Sequence, residues 1–172
     1  LLILAPRKPD QFDGAAAMLA QSGQKFVRRR EISLNGTGNP PLGESCEVFL
    51  LDSLGELAGL YRLADAVFVG GSLVPIGGHN ILEPAAFGKP PIHGPHMENF
   101  REMAAAFQDA DASIRIANAE ELASAWRGLL EDSGRAARMG ASARALVDRN
   151  RGATRRVMSY VEKIIGAPGA SH

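Results

Sequence analysis

The densest set of groups able to do chemistry lies between Gly70 and Pro84: Gly70-Gly71-Ser72-Leu73-Val74-Pro75-Ile76-Gly77-Gly78-His79-Asn80-Ile81-Leu82-Glu83-Pro84. An apolar, β-branched run, Ala66-Val67-Phe68-Val69, leads into it and reads as a buried strand. Beyond it, Asn80 opens a segment with helical spacing (Ile81, Leu82, Ala85, Ala86, Phe87) that ends at Gly88. A strand, a glycine-rich turn and a helix start together present unpaired N–H groups and a positive helix end, the makings of an anion site. Glu83 stands three residues after Asn80, where the N3 member of a capping box would stand. Its carboxylate has a second use, accepting hydrogen bonds from a pair of ribose hydroxyls. A capped helix after a loop accounts for the same residues, but four glycines around one helix start favour a nucleotide.

Two other strand ends carry groups that suit the same ligand. Pro6-Arg7 follows the apolar run Leu1 to Ala5, and a guanidinium there can pair with a phosphate. Leu54-Gly55-Glu56 follows Cys46 to Leu51, where backbone N–H and C=O groups can read a base edge and a glycine lets a ring approach. Glu56 is explained as well by a helix dipole, and Arg7 by a solvated turn. The histidines lack the i, i+4 spacing of a helical metal pair, no nucleophilic triad stands out, and neither a metal nor a cofactor is expected. Glu98, Asn99 and Arg101 either line a cleft or form an ordinary polar first turn.

These residues need a scaffold, and the rest of the chain supplies its pattern. Apolar segments at Leu1–Ala5, Lys25–Ile32, Cys46–Leu51, Ala66–Val69 and Ser113–Ala117 read as strands. Gly88 to Pro95 reads as a short edge-like strand and turn. Helical spacing covers Phe12 to Ser22, Leu57 to Ala64, Met97 to Ala110, Glu120 to Leu130, Gly134 to Asp148 and Ala153 to Ile165. Ser33 to Ser45 is a loop by composition. Strands alternating with helices indicate an α/β protein with a parallel sheet, whose ligands bind at the carboxyl ends of strands. The three candidate loops lie at those ends and are expected to converge on one ligand.

Length and charge narrow the function. A chain of 172 residues suffices for one domain with a real core. Nineteen basic and nineteen acidic side chains cancel, which argues against a nucleic-acid partner held by phosphate neutralisation. One cysteine, Cys46, excludes an internal disulfide. No apolar run approaches the roughly 20 residues of a membrane span. Arginines crowd the last fifty residues or so (Arg127, Arg135, Arg138, Arg144, Arg149, Arg151, Arg155, Arg156) and read as solvated helix faces, with an anionic membrane as the sharper alternative. Val157, Val161 and Ile164 share an apolar stripe there, with Tyr160 and Ile165 beside it. The opening strand, with no methionine before it, reads as a domain cut from a longer protein.

Leu51-Asp52-Ser53-Leu54-Gly55-Glu56-Leu57, Phe68-Val69-Gly70-Gly71-Ser72-Leu73, Gly77-Gly78-His79-Asn80 with Glu83-Pro84, and Gly94-Pro95-His96 with Asn99-Phe100 follow one another in a specific order. The set closely resembles the carboxyl-terminal half of the 3-deoxy-D-manno-octulosonic acid (Kdo) transferases of lipopolysaccharide synthesis. The resemblance implies a Rossmann-like three-layer α/β domain with a parallel sheet and a helical C-terminus, one half of a GT-B glycosyltransferase. Residues 1–172 would form a single domain binding the donor CMP-Kdo, with the amino-terminal acceptor domain absent. By resemblance, Pro6 and Arg7 meet the nucleotide phosphate and Leu54, Gly55 and Glu56 the cytidine. Asn80, Ile81, Leu82 and Glu83 hold phosphate and ribose. Kdo would pass to a lipid A precursor with inversion and without a metal. No catalytic residue is expected in this chain, since the general base and the membrane-associating segment belong to the amino-terminal part. The full-length enzyme would work on the cytoplasmic face of the inner membrane, and this fragment would be soluble and inactive alone. Lys8 stands where many members carry histidine, and Pro91-Ile92-His93 replaces a more apolar strand. A UDP-sugar 2-epimerase-like domain and a non-catalytic nucleotide-binding module are the alternatives.

Overall fold

The computed structural model describes residues 1–33 and 46–165, with side chains as far as Arg151. The expected loop after Ser33 and the side chains of the Val157–Ile165 stripe lie outside the described residues. Two compact units are distinguished, Leu1–Leu60 and Tyr61–His172.

In the first unit, β1 (Leu2–Leu4), β2 (Phe26–Arg28) and β3 (Val48–Leu50) form a parallel sheet in the order β1-β3-β2. Leu2 pairs with Val48 on one side of β3 and Phe26 with Val48 on the other. The central strand is buried throughout, as its unbroken apolar run requires. Helix α1 (Phe12–Gln21) packs Ala16 and Leu19 on Val48 and Leu50, and Ser22-Gly23 ends it with Gly23 at φ 72°. The strand expected over Lys25–Ile32 stops at Arg28. Arg29–Glu31 turns into a short 3-10 helix instead, because Ile32 N–H bonds back to the Arg29 carbonyl. Helix α2 (Leu57–Leu60) is shorter than the Leu57–Ala64 expectation.

In the second unit, β4 (Val67–Phe68), β5 (Pro91–His93) and β6 (Ile114–Arg115) form another parallel sheet, ordered β4-β5-β6. The edge-like reading of β5 is corrected: it is the central strand and wholly buried. Pro91 is tolerated because it is the strand's first residue, where its missing N–H interrupts no ladder. His93 is buried too, its Nδ1 2.9 Å from the Gly94 carbonyl and its Nε2 3.4 Å from Ser113 Oγ.

Helices α3 (Leu82–Ala85), α4 (Arg101–Asp109), α5 (Ala119–Glu131) and α6 (Ser133–Ile165) complete this unit. Asn118 caps α5 by accepting the Glu121 N–H at 3.0 Å. The two terminal helices expected from the sequence are one. The helix runs through the Asn150-Arg151-Gly152 sequence, and Asn150 donates its side-chain amide to the Leu146 carbonyl at 2.9 Å. One core gathers Val69, Ile81, Ala85, Phe107, Ala143 and Val147, and a second gathers Ile92, Ile116, Leu129 and Met139. Helix α6 contributes to both, and it comes close to the turn after α3. A Cβ on Gly140 would lie 1.9 Å from the Gly88 carbonyl oxygen, and Arg144 hydrogen-bonds the Ala86 carbonyl.

Two glycines in these helices should therefore respond oppositely to alanine. Gly140→Ala is expected to lower unfolding free energy by about 1–3 kcal/mol in denaturant melts, because backbone must move. Gly128→Ala in α5, whose added Cβ would meet only the end of the Arg135 side chain at 4.0 Å, should stabilise by up to about 1 kcal/mol.

Burial holds the His93 pKa below its ordinary value of 6.5, against the opposing pull of the Gly94 carbonyl and with help from the Arg115 charge. The unfolded chain then takes up a proton that the folded chain refuses. Its stability contribution is complete above the unfolded value and is lost as pH falls below it. In melts between about pH 8 and pH 5, His93→Gln should flatten the acid-side decline.

Candidate functional site

Chain reversal is the first problem the Gly70–Pro84 stretch solves. After Val69 the chain runs out through Gly70 and Gly71 and returns through Gly78 and His79. The returning N–H groups bond to the outgoing carbonyls, Gly78 to Gly71 at 3.0 Å and His79 to Gly70 at 3.1 Å. Gly71, Gly77 and Gly78 all have positive φ, which side-chain-bearing residues rarely adopt. At Gly77 and Gly78 there is also no room: added Cβ atoms would come within 2.4 Å of the Asn99 amide and 2.5 Å of the Met97 sulfur. The glycine pairs thus close a pinched loop under the Met97–Asn99 segment. The Gly78 and His79 N–H groups are spent inside it, so the anion-binding reading falls on the residues that follow.

Ser72 ties this loop to the turn after β5. Its buried hydroxyl donates to the Val69 carbonyl and accepts the Gly94 N–H at 2.8 Å, while its carbonyl accepts the His96 N–H at 2.9 Å. The two backbones touch so closely that a Cβ on Gly94 would sit 2.2 Å from the Ser72 carbonyl oxygen.

Asn80 and Glu83 emerge from this frame. Asn80 Oδ1 accepts the Leu82 N–H at 3.0 Å, and its amide nitrogen donates to Glu83 Oε1 at 3.2 Å. The capping-box geometry is not formed. The helix begins later than expected, at Leu82, and the two side chains bond to each other. With four residues, α3 has only a small dipole, so its backbone N–H groups matter more than a macrodipole. Ile81 is fully buried and anchors the turn, whereas Glu83 is exposed and holds its carboxylate out to solvent.

Tyr61 belongs with this pair, although its place on an apolar helical face in the sequence gives no sign of it. Its hydroxyl donates to Glu83 Oε2 at 3.5 Å, and its ring lies 6.0 Å from that of Phe87. Burial, then the Glu83 charge, push the Tyr61 pKa up, so the phenol stays protonated as a donor. Glu83 therefore stands between an amide and a hydroxyl that orient it and leave acceptor capacity on both oxygens.

In the first unit, Arg7 lies just past β1, exposed and without an ion pair among the described residues, with Pro6 half-buried before it. Leu54 is 67% exposed, and Gly55 has φ 85° with open space where a side chain would stand. Glu56 is engaged within its own unit. Arg29 Nη2 reaches its Oε1 at 2.7 Å and Ser53 Oγ donates to its Oε2. Those contacts, Ser53 first, hold its carboxyl below the usual carboxylate range. The Leu54-Gly55 backbone is the part of this loop left open.

Among the described residues no group of three His, Cys, Asp or Glu side chains gathers as a metal site would, and no helix is long and apolar enough to cross a membrane. His96 pairs with Glu98 at 3.4 Å. A cavity of about 220 Å³ in the second unit is lined by His93, Met97, Arg101, Gln108 and Arg115, apart from Asn80 and Glu83.

No protein-family model matches the chain. Curated proteins do. The chain is 38% identical over 166 residues to the 3-deoxy-D-manno-octulosonic acid transferase of Bordetella pertussis, which covers 96% of this chain and 37% of that protein. It is 37% identical over 163 residues to the transferase of the same name from Haemophilus influenzae, covering 94% and 36%. The chain thus spans little more than a third of the length of these curated relatives. Among solved structures, the C-terminal CMP-Kdo binding domain of WaaA from Acinetobacter baumannii superposes with a TM-score of 0.76 at 32% identity, over 84% of this chain and 72% of that one. That likeness bears out the expected class, an α/β domain with parallel strands of the GT-B glycosyltransferase type. The chain belongs to the 3-deoxy-D-manno-octulosonic acid transferase family and represents its carboxyl-terminal domain.

Proposed function

We propose that this chain binds CMP-Kdo and is the donor half of an enzyme that transfers Kdo to a lipid A precursor. The observation that carries the reading is the likeness, in sequence and in fold together, to a domain described as CMP-Kdo binding. The exposed Leu54-Gly55 segment, with the Glu56 backbone, takes the cytosine, and Arg7, in the turn opened by Pro6, takes the phosphate. The Asn80 N–H, at the turn into α3, adds a donor for the phosphate, the Leu82 N–H being taken by Asn80 Oδ1 and Ile81 being buried, and Glu83 accepts the ribose hydroxyls. This division follows charge. A carboxylate repels phosphate but suits sugar hydroxyls, and a guanidinium suits phosphate.

Transfer proceeds with inversion and without a metal. Arg7 and the Asn80 N–H stabilise the charge that develops on departing CMP, a preorganised electrostatic role. The acceptor hydroxyl is activated by a general base from residues outside this sequence, which also supply the association with the cytoplasmic face of the inner membrane. On this reading the chain alone binds donor and transfers nothing.

Calorimetric titration with CMP, UMP and UDP tests the reading. CMP is expected to bind in preference to both, and Glu83→Ala and Arg7→Ala should each weaken it by about 1–3 kcal/mol. A preference for UDP would replace the proposal with an epimerase-like sugar-nucleotide class. Equal binding of CMP by wild type and both variants would remove the assigned contacts.

A further inference from the structure

Three consecutive arginines, Arg28-Arg29-Arg30, follow one another at the end of β2, where neighbouring cations should repel. Each is committed to a carboxylate. Arg28 Nε and Arg30 Nε reach Asp52 Oδ2 at 2.7 and 2.8 Å, and the Arg30 N–H donates to Asp52 Oδ1 at 3.0 Å. Arg28 Nη2 lies 2.6 Å from Asp13 Oδ1, which Arg30 also contacts. Arg29 Nη2 reaches Glu56 Oε1 at 2.7 Å and its Nη1 donates to the Ile32 carbonyl at 3.1 Å. The Asp52 side chain is entirely buried, so its charge is tolerated only because these donors surround it. Desolvation works against the Arg28 charge, but the hydrogen bonds to Asp52 and Asp13 outweigh it and raise its pKa.

Asp52 and Glu56 are the first and last residues of the loop that carries Leu54 and Gly55. Between them Leu54 and Gly55 are exposed, and Gly55 is in the left-handed region with open space where a side chain would stand. We propose that Arg28, Arg29 and Arg30 clamp both ends of this loop and thereby position its backbone for choosing the nucleobase. They are positioning residues that touch no ligand. This deepens the donor-site reading and rests on it. Preorganisation of this kind should appear as base discrimination, while binding of the ribose and phosphate is unaffected.

Arg29 offers the cleanest test, because its Glu56 partner is exposed and its loss leaves no buried charge. Binding of CMP, UMP and ribose 5-phosphate would be measured for wild type, Arg29→Ala and Arg29→Lys, alongside Tm and amide exchange at Leu54 and Gly55. Arg29→Ala is expected to reduce the CMP-over-UMP preference about fivefold, leave ribose 5-phosphate affinity and Tm unchanged, and speed exchange at both amides. Arg29→Lys, which keeps the charge but loses the fork, should recover part of the preference. An unchanged preference, unchanged amide exchange, or an equal fall for all three ligands would overturn the clamp while leaving the donor-site reading standing. Wild type showing no preference for CMP would overturn that reading and the clamp with it.

Discussion

A chain that leaves β4 at Val69 has to turn round and come back before it can present anything at Asn80, and what permits this is the apposition of Ser72 and Gly94. The serine hydroxyl is buried, with both its donor and an acceptor position used, and the facing residue has no side chain to obstruct it. A buried hydroxyl without partners would cost on the order of 1–3 kcal/mol, so the geometry is held by necessity on both sides. From this contact the rest of the second unit's site follows. The outgoing and returning glycines lock together, Met97 and Asn99 cover them, and Asn80 is delivered beyond β4 with Glu83 three residues later.

The chemistry at that point depends on how a carboxylate is held. Glu83 has an amide on one oxygen and a phenol near the other, so it is oriented by neutral donors. A cation in either place would neutralise it and take the lone pairs that sugar hydroxyls need. The first unit solves a different problem. Its loop must offer backbone atoms to a flat ring, so the side chain at Glu56 is drawn aside by Arg29 and Ser53 and the exposed surface is left to Leu54 and Gly55.

Local patterns were legible in the sequence where the physics is local. The buried run Val48–Leu50, the stop at Ser22-Gly23 and the reversal demanded by two glycine pairs could all be read from neighbouring residues. So could the class, since strands alternating with helices allow few arrangements. What escaped depends on partners distant in sequence. Pro91 and His93 look unfit for a central strand until their burial and the Ser113 hydroxyl are seen. The glycines were expected to leave N–H groups free for an anion, whereas Gly78 and His79 spend theirs on Gly71 and Gly70. Tyr61 meets Glu83 across 22 residues with no periodic signal to announce it. The arginine run is invisible as a device because its acceptors, Asp13, Asp52 and Glu56, are scattered over the first unit.

The central claim is that the Glu83 carboxylate holds the ribose of a cytidine nucleotide. A double cycle tests it most directly, with CMP and 2′,3′-dideoxy-CMP titrated against wild type and Glu83→Gln. If the claim is right, removing the hydroxyls weakens binding to wild type about tenfold and weakens binding to Glu83→Gln hardly further, because both changes delete one interaction. Losses that simply add would show that Glu83 and the ribose hydroxyls act independently, and the assignment would be wrong.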